Sequence, residues 1–421
     1  MDFRKLPSGA VTLRDVRVPG CLLGDKAAFV KRDIHLRDGQ ISDTPGEAVD
    51  MGGAIVLPCF VDMHTHLDKG HIWPRAANPD GTFMGALTTV RADSSANWSA
   101  EDVRRRMDFS LRCAFAHGTR AIRTHIDSIA PQDEISWPVF REMREEWAGR
   151  IDLQGACLIA CDRMEPEGRF RETADRVADA GGVLGMVTYP VPDLRARVEG
   201  FLRLAMERGL EADFHVDETL DPESQTLRVV AETARDLSFD KPITVGHLCS
   251  LSAQETGVAM DTIDLVAEVG LNVVSLPMCN LYLQNRHNHR TPRKRGITLV
   301  HEMKVRGINV SFASDNTRDP FYAYGDMDMI EVMREATRIG HLDHTGDDWV
   351  NAFTANPAKA CGFAAPSFAA GASADLVICK ARSWGEFFAR PQADRIVVRG
   401  GKQIDRTLPE YSELDDLVGV P

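Results

Sequence analysis

No stretch of this 421-residue chain is apolar for long enough to span a bilayer, and its start shows no basic segment followed by the apolar core of an export signal. A mature cytoplasmic protein is expected. No CxxC pair occurs among the nine cysteines, which excludes a zinc ribbon and the PCxxC signature of the small zinc nucleoside deaminases. The cysteines are scattered, mostly in apolar segments such as GACLIAC and ADLVICK, as suits buried free thiols in a reducing compartment. An excess of basic charge is missing too. The formal charge is -13, so neither a nucleic-acid groove nor an anionic membrane surface is the expected partner, and a small neutral or cationic ligand fits better. Lysine is absent between Lys69 and Lys241, and no GxGxxG follows the first strong strand-like run.

The stretch PCFVDMHTHLDKGH, from Pro58 to His71, organises the remainder. If the strand begun by Cys59, Phe60 and Val61 continues, His64 and His66 face the same way, because side chains alternate with period two. Seven further strand-like runs follow, at 120–125, 153–160, 183–189, 210–216, 242–247, 271–276 and 308–314. Helix-like amphipathic segments fall between and after them, at 100–116, 134–148, 168–180, 193–208, 223–237, 257–269, 299–306 and 326–340. Eight strands alternating with eight helices is the count of a (β/α)8 barrel. An open doubly wound sheet has similar local patterns but usually a Gly-rich phosphate turn after its first strand, where this chain has histidines. Both ends of the chain are rich in short alternating runs, with Asp38-Gly39 and Gly400-Gly401 as turn signals. The expected division is therefore a barrel over 58–365 and a small discontinuous β-sandwich built from 1–57 and 366–421.

In such a barrel, side chains at strand C-termini face one mouth. Those positions hold His64 and His66, His125 and Asp127, His215 and Glu218, His247, and Asp315. His64, His66, His215 and Asp315 supply three imidazoles and a carboxylate, a credible first shell for one Zn²⁺ or Fe²⁺ with room for a water. A water on such an ion loses its proton near neutral pH and becomes a nucleophile. His247 would take or relay that proton, and Glu218 would shuttle it to a ring nitrogen or leaving group. Binuclear hydrolases of this design use a carboxylated lysine from a middle strand. The lysine-free stretch therefore predicts a single metal.

With these residues the chain resembles the amidohydrolase superfamily, and within it the bacterial cytosine deaminase group, which includes enzymes acting on amino-triazines. The resemblance spans nearly the whole chain. It rests on LPCFVDMHTHLDK, RTHID, HVDE, GHLCS, LPMCNLYLQNR followed by RKRGIT, SDNTRDPFYAYGD and VRGGK. It implies a barrel plus β-sandwich, His64, His66, His215 and Asp315 as ligands, Glu218 as acid/base and His247 as a proton-relaying histidine. Two departures bear on the substrate. Where the cytosine enzymes have a glutamine after the third strand, this chain has Cys161-Asp162-Arg163-Met164, and Asn316 follows Asp315 in place of a second aspartate. Asp68, Lys69, Asp162, Arg163, Asn316 and Phe321 are the candidate substrate contacts, with His71 and Tyr322 beside them.

The expected activity is hydrolytic deamination of an amino-substituted N-heterocycle, with a cytosine-like pyrimidine first and a triazine, creatinine-like or pterin-like ring as the alternative. A non-catalytic metal- or ligand-binding barrel is the alternative of another class, and it predicts a damaged constellation. The basic stretch from Arg286 to Arg295 is expected as a lid rim or subunit contact in a homo-oligomer.

Overall fold

Apolar β-branched runs that end in polar residues make up the core of the computed structural model, which describes residues 2–165 and 168–419. Eight parallel strands follow in chain order: β1 Phe60–Thr65, β2 Thr119–Asp127, β3 Asp152–Leu158, β4 Leu184–Thr188, β5 Ala212–Val216, β6 Ile243–His247, β7 Asn272–Ser275 and β8 Val310–Phe312. β1, β2 and β3 pair with one another, as do β4 through β8. Single parallel bridges join the two sets, Ala156 to Val183 and Ala160 to Val187 on one side and Thr65 to Asp315 on the other. The ring is thus closed in sequence order. β1, β5 and β6 are buried at every position, because helices cover the outside and side chains fill the inside, which is why they read as continuous rather than alternating apolar runs.

The covering helices match the amphipathic segments closely. Ala100–His117 begins where the Ser99 hydroxyl accepts from the Asp102 N–H and ends at Gly118, whose φ is 96°. A Cβ at Gly118 would stand 2.5 Å from Val377 Cγ2, so this turn needs glycine both for its left-handed backbone and for its contact with the terminal sheet. The Phe83–Asn97 helix was not expected. Its sequence, FMGALTTVRADSSAN, carries no apolar stripe and buries only Ala86, Val90 and Asp93.

Both ends of the chain meet in one hydrogen-bonded sheet of eight strands. Val11–Pro19 lies at its centre, and Leu376–Cys379 pairs antiparallel with Ile55–Pro58, which joins the C-terminal strands to the N-terminal ones. The two expected hairpin turns are present. Asp38 and Gly39 lie at φ 50° and 83°, and Gly400 and Gly401 at 51° and 72°, the positive values that two-residue hairpins require. All nine cysteines are free thiols, eight of them buried.

A buried ion pair ties the C-terminal strands to the last barrel helix. Asp328 caps the Met329–Gly340 helix by accepting from the Ile330 N–H and takes both terminal nitrogens of buried Arg395, one at 2.7 Å. Burial would raise the Asp328 carboxyl, but Arg395 and His117 outweigh it and hold the group well below the usual carboxylate range. Asp328→Asn should destabilise the fold by about 3–5 kcal/mol, because it leaves the Arg395 charge buried and unpaired. Since the folded value is depressed, this stabilisation is whole above the unfolded value of about 4 and drains away as pH falls toward the folded one. Urea unfolding at pH 7 and at pH 3 measures both: the gap between wild type and variant should narrow in acid.

Candidate active site

Barrel closure brings the histidines and the carboxylate together. Asp62, two residues before His64 and on the same face of β1, accepts from the Ser314 N–H at 3.1 Å and from its hydroxyl at 2.5 Å, while the Asp315 N–H donates to the His64 carbonyl at 2.9 Å. These bonds stitch β8 to β1. They set Asp315 Oδ1 3.2 Å from His66 Nε2 and 3.6 Å from His64 Nε2. From β2 and β5, the rings of His125 and His215 approach the His64 ring to 4.1 and 4.4 Å between centroids.

Among the described residues, two overlapping groups have donor atoms within 4.8 Å of one another: His64, His66, His125 and His215, and His64, His247 and Asp315. His64 belongs to both. The backbone at this end of the barrel is strained, with His247 at φ 75°, Asp315 at 65°, Leu248 at 52° and Asp217 at 50°. Left-handed conformations at four non-glycine residues each cost on the order of 1–3 kcal/mol and gather at sites that use them.

The polar atoms here lack partners. Both ring nitrogens of His64 and of His215, Nδ1 of His66 and both carboxylate oxygens of Asp315 are buried without a hydrogen bond. Each such atom costs about 1–3 kcal/mol unless something binds it. Burial holds the His64, His66 and His215 imidazoles far below their ordinary pKa, with His125, Lys69 and His64 respectively as the next cause, so all three are neutral and offer lone pairs. Burial pushes the Asp315 carboxyl up to about 8, so its charged form is disfavoured until a cation stands beside it. Three neutral imidazoles and an oxygen donor suit one divalent metal ion.

Glu218 follows β5 through Asp217, whose carboxylate accepts from Ser224, from the N–H and hydroxyl of Thr226 and from the Leu227 N–H and so pins the loop. Glu218 Oε1 lies 3.5 Å from His247 Nδ1. Burial and then Asp315 raise its carboxyl well above the ordinary value, against the opposing charge of Lys69. A carboxyl so placed keeps its proton to higher pH than an ordinary glutamate and can act as an acid.

The expected substrate residues divide into three sets. Asp68 and Lys69 are buried. Lys69 Nζ donates to Asp127 at 2.7 Å, Asp68 accepts from the Asp127 N–H, and buried Arg106 donates to the Asp68 and Gly70 carbonyls, so the loop after β1 is fixed from beneath. Asn316 donates to Asp319 at 2.7 Å, and Phe321 packs edge-on against Phe83 with Lys69 6.0 Å from its ring centre. Asp162 and Arg163 are exposed in the turn after β3, and neither joins the buried cluster. His71 is buried against Phe109, with both ring nitrogens unpaired.

Three residues were given no role from sequence. Asp62 is found by counting two back from His64. His125 sits among the ligand-capable histidines, held by Asp213 at 2.9 Å. Asn280 approaches His247 Nδ1 to 3.0 Å and carries no signal beyond lying in a conspicuous motif.

A model of the amidohydrolase family matches residues 171–405. The chain is 51% identical over 419 residues to the pterin deaminase of Rhizobium rhizogenes, covering 97% of this chain and 95% of that protein. It is 24% identical over 310 residues to the N-isopropylammelide isopropyl amidohydrolase of a Pseudomonas species, covering 70% and 71%. The crystal structure of 5-methylcytosine deaminase from Klebsiella pneumoniae liganded with 5-fluorocytosine superimposes with a TM-score of 0.80 at 25% identity, over 95% of this chain and 98% of that one. This chain belongs to the amidohydrolase family.

Proposed function

We propose that this hydrolytic deaminase acts on a pterin, a 2-amino-4-oxopteridine, and releases the amino group as ammonia. The observation that carries the reading is the 51% identity to a pterin deaminase along almost the whole chain, against 25% to the 5-methylcytosine deaminase structure. A pterin-like ring was the alternative to a cytosine-like one. The missing glutamine after β3 supports the exchange, since a site built to read one amide edge leaves polar groups unpaired with another.

His64, His66, His215 and Asp315 would hold one divalent ion, Zn²⁺ or Fe²⁺. When bound, that ion supplies Lewis acidity that lowers the pKa of a coordinated water toward neutrality. The chain's own groups carry the protons. Glu218 delivers a proton to the ring nitrogen beside the amino-bearing carbon as water oxygen adds to that carbon, takes one proton from the water and passes it to the leaving amine, and takes the second as the carbonyl forms, which restores its acid form. The C–N bond breaks, ammonia departs and the oxygen remains on the ring. His247 faces the same space. Phe321, on the loop after β8, is the flat surface offered to the ring, and Lys69 with Asp127 braces that side of the pocket. Residues 58–365 form the catalytic unit in this reading, with 1–57 and 366–421 as its support.

Ammonia release by the metal-loaded protein from pterin, cytosine, creatinine and an N-alkylamino-triazine tests the assignment. kcat/KM for pterin should exceed that for cytosine by at least about 100-fold, the scale of discrimination that differential hydrogen bonding supplies. Turnover of cytosine without pterin would overturn the substrate. Silence on every ring would overturn deamination.

A further inference from the structure

Two conspicuous sequence segments, LPMCNLYLQNR and RKRGIT, contribute nothing to the histidine cluster, yet the structure wraps them around it. The first folds after β7 into the Pro277–Leu283 helix. Asn280 and Gln284, four residues apart, leave this turn on one face. Asn280 is fully buried, with its amide nitrogen 3.0 Å from His247 Nδ1, and the Gln284 amide donates to the Glu218 carbonyl at 3.0 Å. Gly296, from the second segment and at φ 74°, closes on the same turn. A Cβ there would stand 2.5 Å from Gln284 Cβ and 3.0 Å from the Asn280 carbonyl oxygen. One short turn therefore touches both the His247 ring and the Glu218 main chain.

We infer that Asn280 is a positioning residue that sets which nitrogen of His247 carries the hydrogen, so that His247 meets the substrate as a donor. An amide N–H donates only to a lone pair, and with the Asn280 amide nitrogen on Nδ1 the neutral imidazole keeps its hydrogen on Nε2. In this orientation the unpaired buried atom is Asn280 Oδ1. The reversed amide would leave the N–H groups unpaired in its place, and orphaned buried donors are rarer than orphaned acceptors. Glu218 Oε1, at 3.5 Å from the same nitrogen, is too distant to compete.

His247 Nε2 is buried and has no partner within the protein, so its hydrogen is free to meet the reacting atoms. His247 then stabilises the oxygen that gains charge as the ring carbon becomes tetrahedral, and does not take the water's proton. That shuttle falls to Glu218, whose main chain Gln284 holds in place.

The inference rests on the proposal that His247 and Glu218 face the substrate, and the test separates the two. Metal-loaded protein labelled with ¹⁵N-histidine reports the tautomer of His247, whose signals are assigned by their loss in His247→Gln. Asn280→Asp keeps the shape but accepts from Nδ1–H, which inverts the tautomer, and Asn280→Leu removes the partner. The wild type should carry its hydrogen on Nε2 and Asn280→Asp on Nδ1. In both Asn280 variants kcat should fall about 100- to 1,000-fold, the usual cost of losing one aimed donor, with KM and metal content little changed. A hydrogen on Nδ1 in the wild type overturns the inference, as does Asn280→Asp that inverts the tautomer and keeps its kcat. If His247→Gln itself retains kcat, the proposed role of His247 at the site falls with it. If only the Asn280 variants do, the inference alone falls.

Discussion

Glu218→Gln should lower kcat on pterin by about 100- to 10,000-fold while the protein keeps its metal and binds substrate about as well as before. The carboxamide fills the same space but can neither give nor take the proton. The size of the effect follows from the setting. Glu218 lies on a loop pinned by Asp217 and by Gln284, beside His247, and burial with nearby Asp315 raises its carboxyl well above the ordinary range. Steady-state kinetics with metal analysis on the same preparation checks it, and a variant with its metal and full kcat would remove Glu218 from the mechanism.

The second large effect concerns the metal. His64 is the one residue common to both ligand-capable groups, and both of its ring nitrogens are buried without partners. His64→Ala should therefore reduce bound metal to well below one ion per chain and abolish turnover. Dialysis of the wild type against a chelator should do the same reversibly, with activity returning on addition of Zn²⁺ or Fe²⁺, whereas the variant should not recover. Metal content by mass spectrometry of the dialysed proteins decides this, and a His64→Ala protein holding a full equivalent of metal would contradict it. Tight binding is expected because the site is paid for in advance by burying neutral imidazoles that need a cation.

Much of this arrangement was legible in the sequence, for local reasons. A barrel strand is a short apolar run and its mouth is marked by the polar residue that ends it, so the eight runs, five of which lead into His64, His125, His215, His247 and Asp315, announce both the ring and the rim. All eight strands lie within a few residues of the places the runs indicate. What was not legible depends on contacts between distant segments. Asp62 acts by bonding Ser314, 252 residues away. Asn280 acts on His247 across two strands, and nothing in CNLYLQ alone points to an imidazole. The burial of Lys69 depends on Asp127 and on the Arg106 contacts beneath its loop. The Phe83–Asn97 helix has no stripe to detect, and the single sheet made by the two ends depends on the pairing of Leu57 with Val377, which no periodicity encodes.

The most direct test of hydrolytic deamination of a pterin is turnover in H₂¹⁸O with mass analysis of the products. The account predicts one ammonia per pterin consumed and a dioxopteridine that carries a single ¹⁸O at the carbon that lost its amino group. Ammonia without ¹⁸O at that carbon, or no reaction of pterin with the metal-loaded protein, would contradict it.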